Sequence, residues 1–179
     1  MRERIVKGRV WVLGGADGRL IEDIDTDQIF HNAHLHITEI GQMGRFALGN
    51  LEGWKDFPDR CAAGDILVAG RNFGAGSSRQ QAVDCFIALG IAALIAPSYS
   101  AIYFRNAVNS GFPVLRGRGL EALAASGGLA SGDVIQCDVE SGEARIVNRN
   151  ARLEIEPMSG VQRDIFRAGD LFAFGKSLA

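Results

Sequence analysis

The stretch Asp65-Ile66-Leu67-Val68-Ala69-Gly70-Arg71-Asn72-Phe73-Gly74-Ala75-Gly76-Ser77-Ser78-Arg79 decides the fold. Residues 65–69 are a short, mostly apolar run with turn-formers on both sides, which predicts a buried strand. Residues 70–76 form a glycine-rich loop. Over about 78–89, Ala82, Cys85, Phe86 and Leu89 recur at i, i+3, i+4 and i+7, which predicts a helix, and Gly90 follows as its stop. Residues 93–96 read as the next buried strand, ended by Pro97. A second helix is expected over about 100–110, stopped by Gly111, and a third short strand over 112–115. Strand, helix, strand, helix, strand predicts a parallel α/β core with right-handed crossovers.

Outward from that core, residues 5–13 have strand composition, and the Gly14-Gly15-Ala16-Asp17-Gly18 cluster is a turn. Residues 28–63 are irregular and punctuated by glycine, with a short helix expected at about 39–47. In the tail, 134–139 and 151–155 read as hairpin partners around Gly142, and a last helix covers about 160–168 with Gly169 as its stop. Without an internal repeat or a low-complexity linker, one domain spanning 1–179 is expected.

The 179 residues carry 19 basic and 21 acidic side chains, a net charge of −2, and 47% are hydrophobic. A chain of this size buries roughly 70% of its unfolded surface and needs no disulfides. The composition argues against disorder. The near-neutral charge and the absence of a basic run argue against nucleic-acid binding. No apolar leader opens the chain, and the longest apolar run, 85–96, is too short to span a bilayer, so a cytoplasmic protein without membrane attachment is expected. Cys61, Cys85 and Cys137 are widely spaced and make no Cys-x-x-Cys, so a metal centre built by this chain is not expected.

The loop between the first core strand and its helix carries the chemistry. At the carboxyl end of parallel strands, such turns bind ligands. A helix N-terminus offers free N–H groups, Gly74 and Gly76 let backbone approach a ligand, Arg79 adds a forked cation, and Ser77 and Ser78 add hydroxyls; together they predict an anion site. The structural alternative is a capping box, since both Ser77-x-x-Gln80 and Ser78-x-x-Gln81 have that form. A Walker loop would need Gly-Lys-Ser/Thr, and a dinucleotide fingerprint would need glycine where Arg79 stands. Asp23, Asp25 and Asp27 form an acidic run, read either as a solvated turn or as placing Asp27 in a site beside a histidine or cation. His31, His34 and His36, the chain's only histidines, read as a polar, substrate-facing loop or as metal ligands.

Taken in order, Asp25-Thr26-Asp27-Gln28-Ile29, Gly74-x-Gly76-Ser77-Ser78-Arg79, Ile95-Ala96-x-Ser98 and Arg105-Asn106-Ala107-Val108-Asn109-x-Gly111-x-Pro113-Val114-Leu115 resemble the small-subunit family of 3-isopropylmalate dehydratase, the swivel domain of the aconitase superfamily. The resemblance spans about residues 5–175. It implies a swivelling β/β/α domain and a hydro-lyase acting on a small hydroxy di- or tricarboxylate. It also implies a large partner subunit that holds a 4Fe–4S cluster, whose iron polarises the leaving hydroxyl. By the same resemblance, Ser77 is the general base and Gly76, Ser78 and Arg79 hold a substrate carboxylate. Asp27 pairs with a histidine of the large subunit, and His34 and His36 lie in the substrate-selecting loop.

Three departures bear on the substrate. Gln80-Gln81 stand where the family usually has Glu-His, and Phe30-His31 replace Ile-Pro. His34-Leu35-His36-Ile37 replace a loop that usually reads Tyr-Leu followed by Arg-Thr or apolar residues. Isopropylmalate isomerisation in leucine biosynthesis is the first expectation; homoaconitate or a methylated malate is the alternative. A non-catalytic anion-binding domain is the reading from another class. A free-standing serine hydrolase lacks Gly-x-Ser-x-Gly and a histidine outside 31–36. The 30–50 segment, broken by Gly41, Gly44 and Gly49, is expected to be mobile in the isolated chain.

Overall fold

A computed structural model describes residues 3–178. Seven strands close into a barrel in the order β1-β2-β3-β4-β7-β6-β5. The strands are β1 (Ile5–Val12), β2 (Ile66–Val68), β3 (Ala93–Ala96), β4 (Val114–Arg118), β5 (Val134–Asp138), β6 (Glu143–Ile146) and β7 (Ala151–Ile155). β1 to β4 run parallel, and the remaining pairings are antiparallel. The fold is therefore α/β with the expected parallel core, closed by a second, antiparallel arc.

Side chains alternate across each strand, and that alternation separates two cores. Val10, Ile66, Val68, Ala93, Ile95, Leu115, Ile135, Ile146 and Leu153 fill the barrel. Trp11, Leu67 and Leu94 face outward and pack under the helices with Phe30, Phe57, Phe73, Phe86 and Tyr103. The helices are α1 (Thr26–Ile29), α2 (Ile40–Met43), α3 (Phe57–Arg60), α4 (Gln81–Ala88), α5 (Ala101–Asn109), α6 (Leu120–Ala125), α7 (Gly160–Ala168) and α8 (Leu171–Ser177).

The crossover elements fall where the glycine stops place them. Gly90 and Gly111 take left-handed φ values of 70° and 61° behind α4 and α5. Two sequence expectations change. The helix expected from residue 78 begins at Gln81, because residues 76–79 run as a loop, exposed over 76–78. The 134–139 and 151–155 strands are not direct partners: β6 lies between them, its Glu-Ala-Arg-Ile alternation exposed-buried throughout. The 30–50 segment is built into the core through Phe30, Ile37, Met43, Ala47 and Leu48, and Leu48 N–H donates to Ile29 O at 2.8 Å.

Candidate functional site

The Ser77-Ser78-Arg79 loop rests on a rigid base. Asn72 and Phe73 N–H donate to Ser98 Oγ and Ser98 O, at 2.9 and 3.1 Å. On the other flank Gly70 N–H donates to Ile21 O, Gly74 N–H to Ile24 O, and Thr26 N–H to Ala75 O. Ser100, the N-cap of α5, donates its hydroxyl to Gly74 O at 2.6 Å. Phe73 is buried and packs its ring against Phe86, Tyr99 and Tyr103.

The two glycines of this loop do different work. Gly74 is buried at φ 78°, and a Cβ there would lie 2.2 Å from the Tyr103 ring. Its smallness serves packing rather than approach to a ligand. Gly76, at φ 89°, has only Thr26 and Asp25 atoms in ordinary contact range, and it turns the chain outward.

Beyond Gly76 the polar groups are uncommitted. Ser77 and Ser78 are exposed, and neither their hydroxyls nor their N–H groups have a hydrogen-bond partner among the described residues. The capping alternative is not realised. Gln80 occupies the N-cap of α4, and no side chain caps that helix.

Arg79 is the ordered member of the trio, its side chain only 14% exposed. Its Nη1 donates to Asp27 Oδ1 at 2.6 Å and to Phe30 O at 3.0 Å. Those two bonds use both Nη1 hydrogens, and the Nε–Nη2 edge of the guanidinium, the edge suited to a bidentate carboxylate, has no hydrogen-bond partner among the described residues.

Asp27 is placed by α1. Asp25 caps this helix, accepting from Gln28 N–H at 2.8 Å, while Gln28 Oε1 accepts from Asp25 N–H at 2.9 Å. Asp27 also accepts from Asn32 N–H and from Asn50 Nδ2, both at 3.1 Å. The Arg79 hydrogen bond, seconded by Asn32 N–H, holds the Asp27 carboxyl below the usual carboxylate range against the opposing effect of burial.

The histidines divide. His31 Nδ1 accepts from Ala33 N–H at 3.2 Å, which puts the proton of the neutral ring on Nε2, 3.8 Å from Asp27 Oδ2. His34 stacks on Phe46 with ring centroids 4.0 Å apart, and burial chiefly pushes its pKa down. His36 is exposed, with Nδ1 3.1 Å from Ala33 O. Among the described residues, neither His34 nor His36 makes a hydrogen bond, ion pair or ring contact with residues 76–79. The structure thus brings together Asp27, Arg79 and His31 beside Ser77 and Ser78. Sequence reasoning had not found Asn50, Asn32 or the Asp25-Gln28 capping box. The box was readable from its Asp-x-x-Gln form; the asparagines are joined to Asp27 only by the fold.

The cysteines do not suit a metal cluster. Cys85 lies in the helix-side core and Cys137 in the barrel core, and burial pushes both thiols up, Cys137 to about 12. Cys61 is half-buried, its thiol raised by burial and then by Asp65. Among the described residues no group of three or more His, Cys, Asp or Glu could hold a metal ion, and no helix is long and apolar enough to cross a membrane.

Comparison with known proteins identifies the class. Residues 50–116, from the approach to β2 through α4, α5 and into β4, match the family model of the aconitase C-terminal domain. The chain is 33% identical to the methanogen homoaconitase small subunit of Methanocaldococcus jannaschii over 96% of its own length and 92% of the relative's. It is 35% identical to the 3-isopropylmalate dehydratase small subunit of Pyrobaculum aerophilum, over 96% and 98%. A crystal structure of 3-isopropylmalate dehydratase from Methanocaldococcus jannaschii superposes with a TM-score of 0.84 at 33% identity, covering 97% of this chain and 95% of that one. The chain belongs to the 3-isopropylmalate dehydratase small-subunit family of the aconitase superfamily.

Proposed function

We infer that this chain is the small subunit of a heteromeric aconitase-type hydro-lyase, interconverting 2- and 3-isopropylmalate by removal and return of water in leucine biosynthesis. The observation that carries this reading is the Ser77-Ser78-Arg79 loop, with its hydroxyls and N–H groups unpaired and its guanidinium held by one nitrogen. Small-subunit relatives that match nearly end to end support it.

In this reading the whole chain is one swivel domain that closes its loop over a large subunit, and that subunit carries the 4Fe–4S cluster. This chain's thiols do not fit as ligands, so its contribution is acid–base chemistry and carboxylate binding. The Nε–Nη2 edge of Arg79 and the Ser78 hydroxyl grip one substrate carboxylate. Ser77 Oγ, as the alkoxide, takes the proton from the carbon beside a carboxylate while the hydroxyl on the neighbouring carbon leaves as water with a proton supplied from the large subunit, and a C=C bond forms. On rehydration water gives its hydroxyl to the first carbon, and the Ser77 hydroxyl gives its proton to the second. A serine hydroxyl is too weak a base in water. The unpaired N–H groups of residues 76–78, with α4 behind them, stabilise the alkoxide where it forms. Asp27 acts as a positioning residue, fixing the Arg79 plane.

A second substrate is favoured by particular residues. His34 and His36 replace the family's usual substrate-selecting residues, and one near relative is a homoaconitase small subunit. Homoaconitate or a methylated malate is that alternative. The deciding experiment assembles the full chain with its large subunit under anaerobic conditions and follows hydration and dehydration of each acid. Turnover of isopropylmalate well above the others supports the first reading. Preference for homoaconitate or a methylmalate selects the second. Binding of hydroxy acids without turnover of any supports a non-catalytic anion-binding domain.

A further inference from the structure

Gln80 joins the loop to α4, and its side chain makes a bridge the proposed chemistry does not use. Its Nε2 donates to Asp84 Oδ1 and to Ser110 Oγ, both at 2.8 Å. Asp84 is buried, at 9% exposure, and Gln80 is the hydrogen-bond partner found for its side chain. Ser110 is the C-cap of α5. One amide therefore ties the residue after Arg79 to its own helix and to the far end of the next.

Charge sets what this position tolerates. Burial pushes the Asp84 carboxyl above the usual carboxylate range and the hydrogen bond from Gln80 opposes that rise, so the ionised form needs a donor facing it. Of the titratable groups around it, Cys85 on α4 and Tyr103 on α5 are held neutral by burial, and Arg105 of α5 is exposed and makes no ion pair with Asp84 among the described residues. Among the elements packed on α4, α2 carries no titratable side chain, Asp27 of α1 is engaged by Arg79, and the exposed Arg45 lies over the Phe46 ring. No cation is paired with Asp84 among the described residues.

We propose that Gln80 is a positioning residue for the Ser77 hydroxyl, acting through its amide bridge from Asp84 to Ser110, and that its neutrality keeps the loop in place across the working pH range. This rests on the catalytic reading of the loop given above. It deepens that reading by separating two supports. Arg79 is fixed independently by Asp27 and Phe30 O, whereas Ser77 and Ser78 have no side-chain anchor and depend on the backbone between Gly76 and Gln80. Loosening Gln80 should disturb the base more than the carboxylate grip.

The test uses the full chain assembled with its large subunit. Gln80→Ala is expected to lower kcat about tenfold with KM within about twofold. Gln80→Glu is expected to match the parent at the acidic end of the profile, where the two carboxyls share a proton. It should lose activity as the pH rises toward about 8, because like charges sharing a site raise one pKa and the second ionisation drives them apart. Ser110→Ala, which removes one of the two bonds, is expected to fall between parent and Gln80→Ala. Thermal melts of each assembled variant report folding, and Gln80→Glu at acidic pH serves as the folded reference if Gln80→Ala does not assemble. A pH profile for Gln80→Glu that superposes on the parent's overturns the inference, as does a Gln80→Ala loss confined to KM. Ser77→Ala separates the two levels. If it leaves turnover intact, the catalytic reading itself fails; if it abolishes turnover while the Gln80 variants match the parent, only the bridge is wrong.

Discussion

The Asp27–Arg79 pair yields a measurable coupling. Asp27 Oδ1 lies 2.6 Å from Arg79 Nη1, with side chains 34% and 14% exposed. A hydrogen bond to a charged group is worth about 1.5–3 kcal/mol net when buried, and an exposed ion pair about 0.2–1 kcal/mol. Discounting for the wet side of Asp27 places the coupling at about 1 kcal/mol. The assay is a double-mutant cycle of Asp27→Ala and Arg79→Ala by urea denaturation of the isolated chain, since the cycle cancels the losses of Asn32 and Asn50. Acid supplies an internal check. The native carboxyl sits below its ordinary value of about 3.9, so the unfolded chain takes up the proton first. The stability from this pair is therefore complete above about pH 4–5 and drains away as the pH falls through the lower native value. A neutral-pH coupling below about 0.4 kcal/mol, the usual additivity error, would refute the reasoning, as would a coupling that survives protonation of Asp27. In the assembled enzyme, Asp27→Ala should raise KM about tenfold, the equivalent of about 1.4 kcal/mol, through a disordered Arg79.

Three further outcomes are expected. Ser77→Ala in the assembled complex should lower kcat by about 10²–10⁴-fold, the range for loss of a positioned base, with the melting temperature unchanged. Gly74→Ala should cost about 3 kcal/mol, combining a left-handed backbone with overpacking against Tyr103, whereas Gly76→Ala, whose Cβ meets only ordinary contacts with Thr26 and Asp25, should cost about 1–2 kcal/mol of backbone strain alone; paired urea titrations compare them. Asp65→Ala should cost about 2–4 kcal/mol in the same titrations, because the buried carboxylate accepts from Trp11 Nε1 at 2.7 Å, Ala62 N–H at 2.9 Å and Arg9 Nη2 at 2.6 Å.

The parallel half of the barrel was legible because each element there carries its own punctuation. Apolar runs too short for helices end at Gly or Pro, and helical periodicity ends at Gly90 and Gly111. The beginning of α4 was not legible. Ser-x-x-Gln fits a capping box in two registers, but the Arg79 reach to Asp27 and the Gly76 turn hold residues 77–79 out of the helix, and both constraints are tertiary. β6 was missed although Glu143-Ala144-Arg145-Ile146 alternates strictly, because four residues between turn-formers read as loop. For the site, residue chemistry named Asp27, Ser77, Ser78 and Arg79. It paired Asp27 with a histidine or cation without saying which, and the fold supplies Arg79, 52 residues away, with His31 Nε2 at 3.8 Å. His34 shows the converse: a polar residue in a predicted polar loop is stacked on an aromatic ring, because the segment around it folds into the core.

Gly76 marks the boundary between two kinds of backbone. Before it, Gly70, Asn72, Phe73 and Gly74 all donate to protein acceptors, and the loop is clamped between the 21–26 segment and the start of α5. After it, the hydroxyls and N–H groups of Ser77 and Ser78 donate to none among the described residues. Donors that develop their full strength only against a forming anion must not be satisfied beforehand, yet they must not wander, since misplacement of about 1 Å can cost 10²-fold. A clamp immediately upstream, an Arg anchored through one nitrogen, and an amide bridge immediately downstream meet both demands together. The same logic explains why the acid at position 27 belongs to the support rather than the open face. A carboxylate beside unpaired donors would compete for them, so its charge is consumed by Nη1 of Arg79, by Asn32 and by Asn50, leaving the outward edge of the guanidinium for a substrate carboxylate.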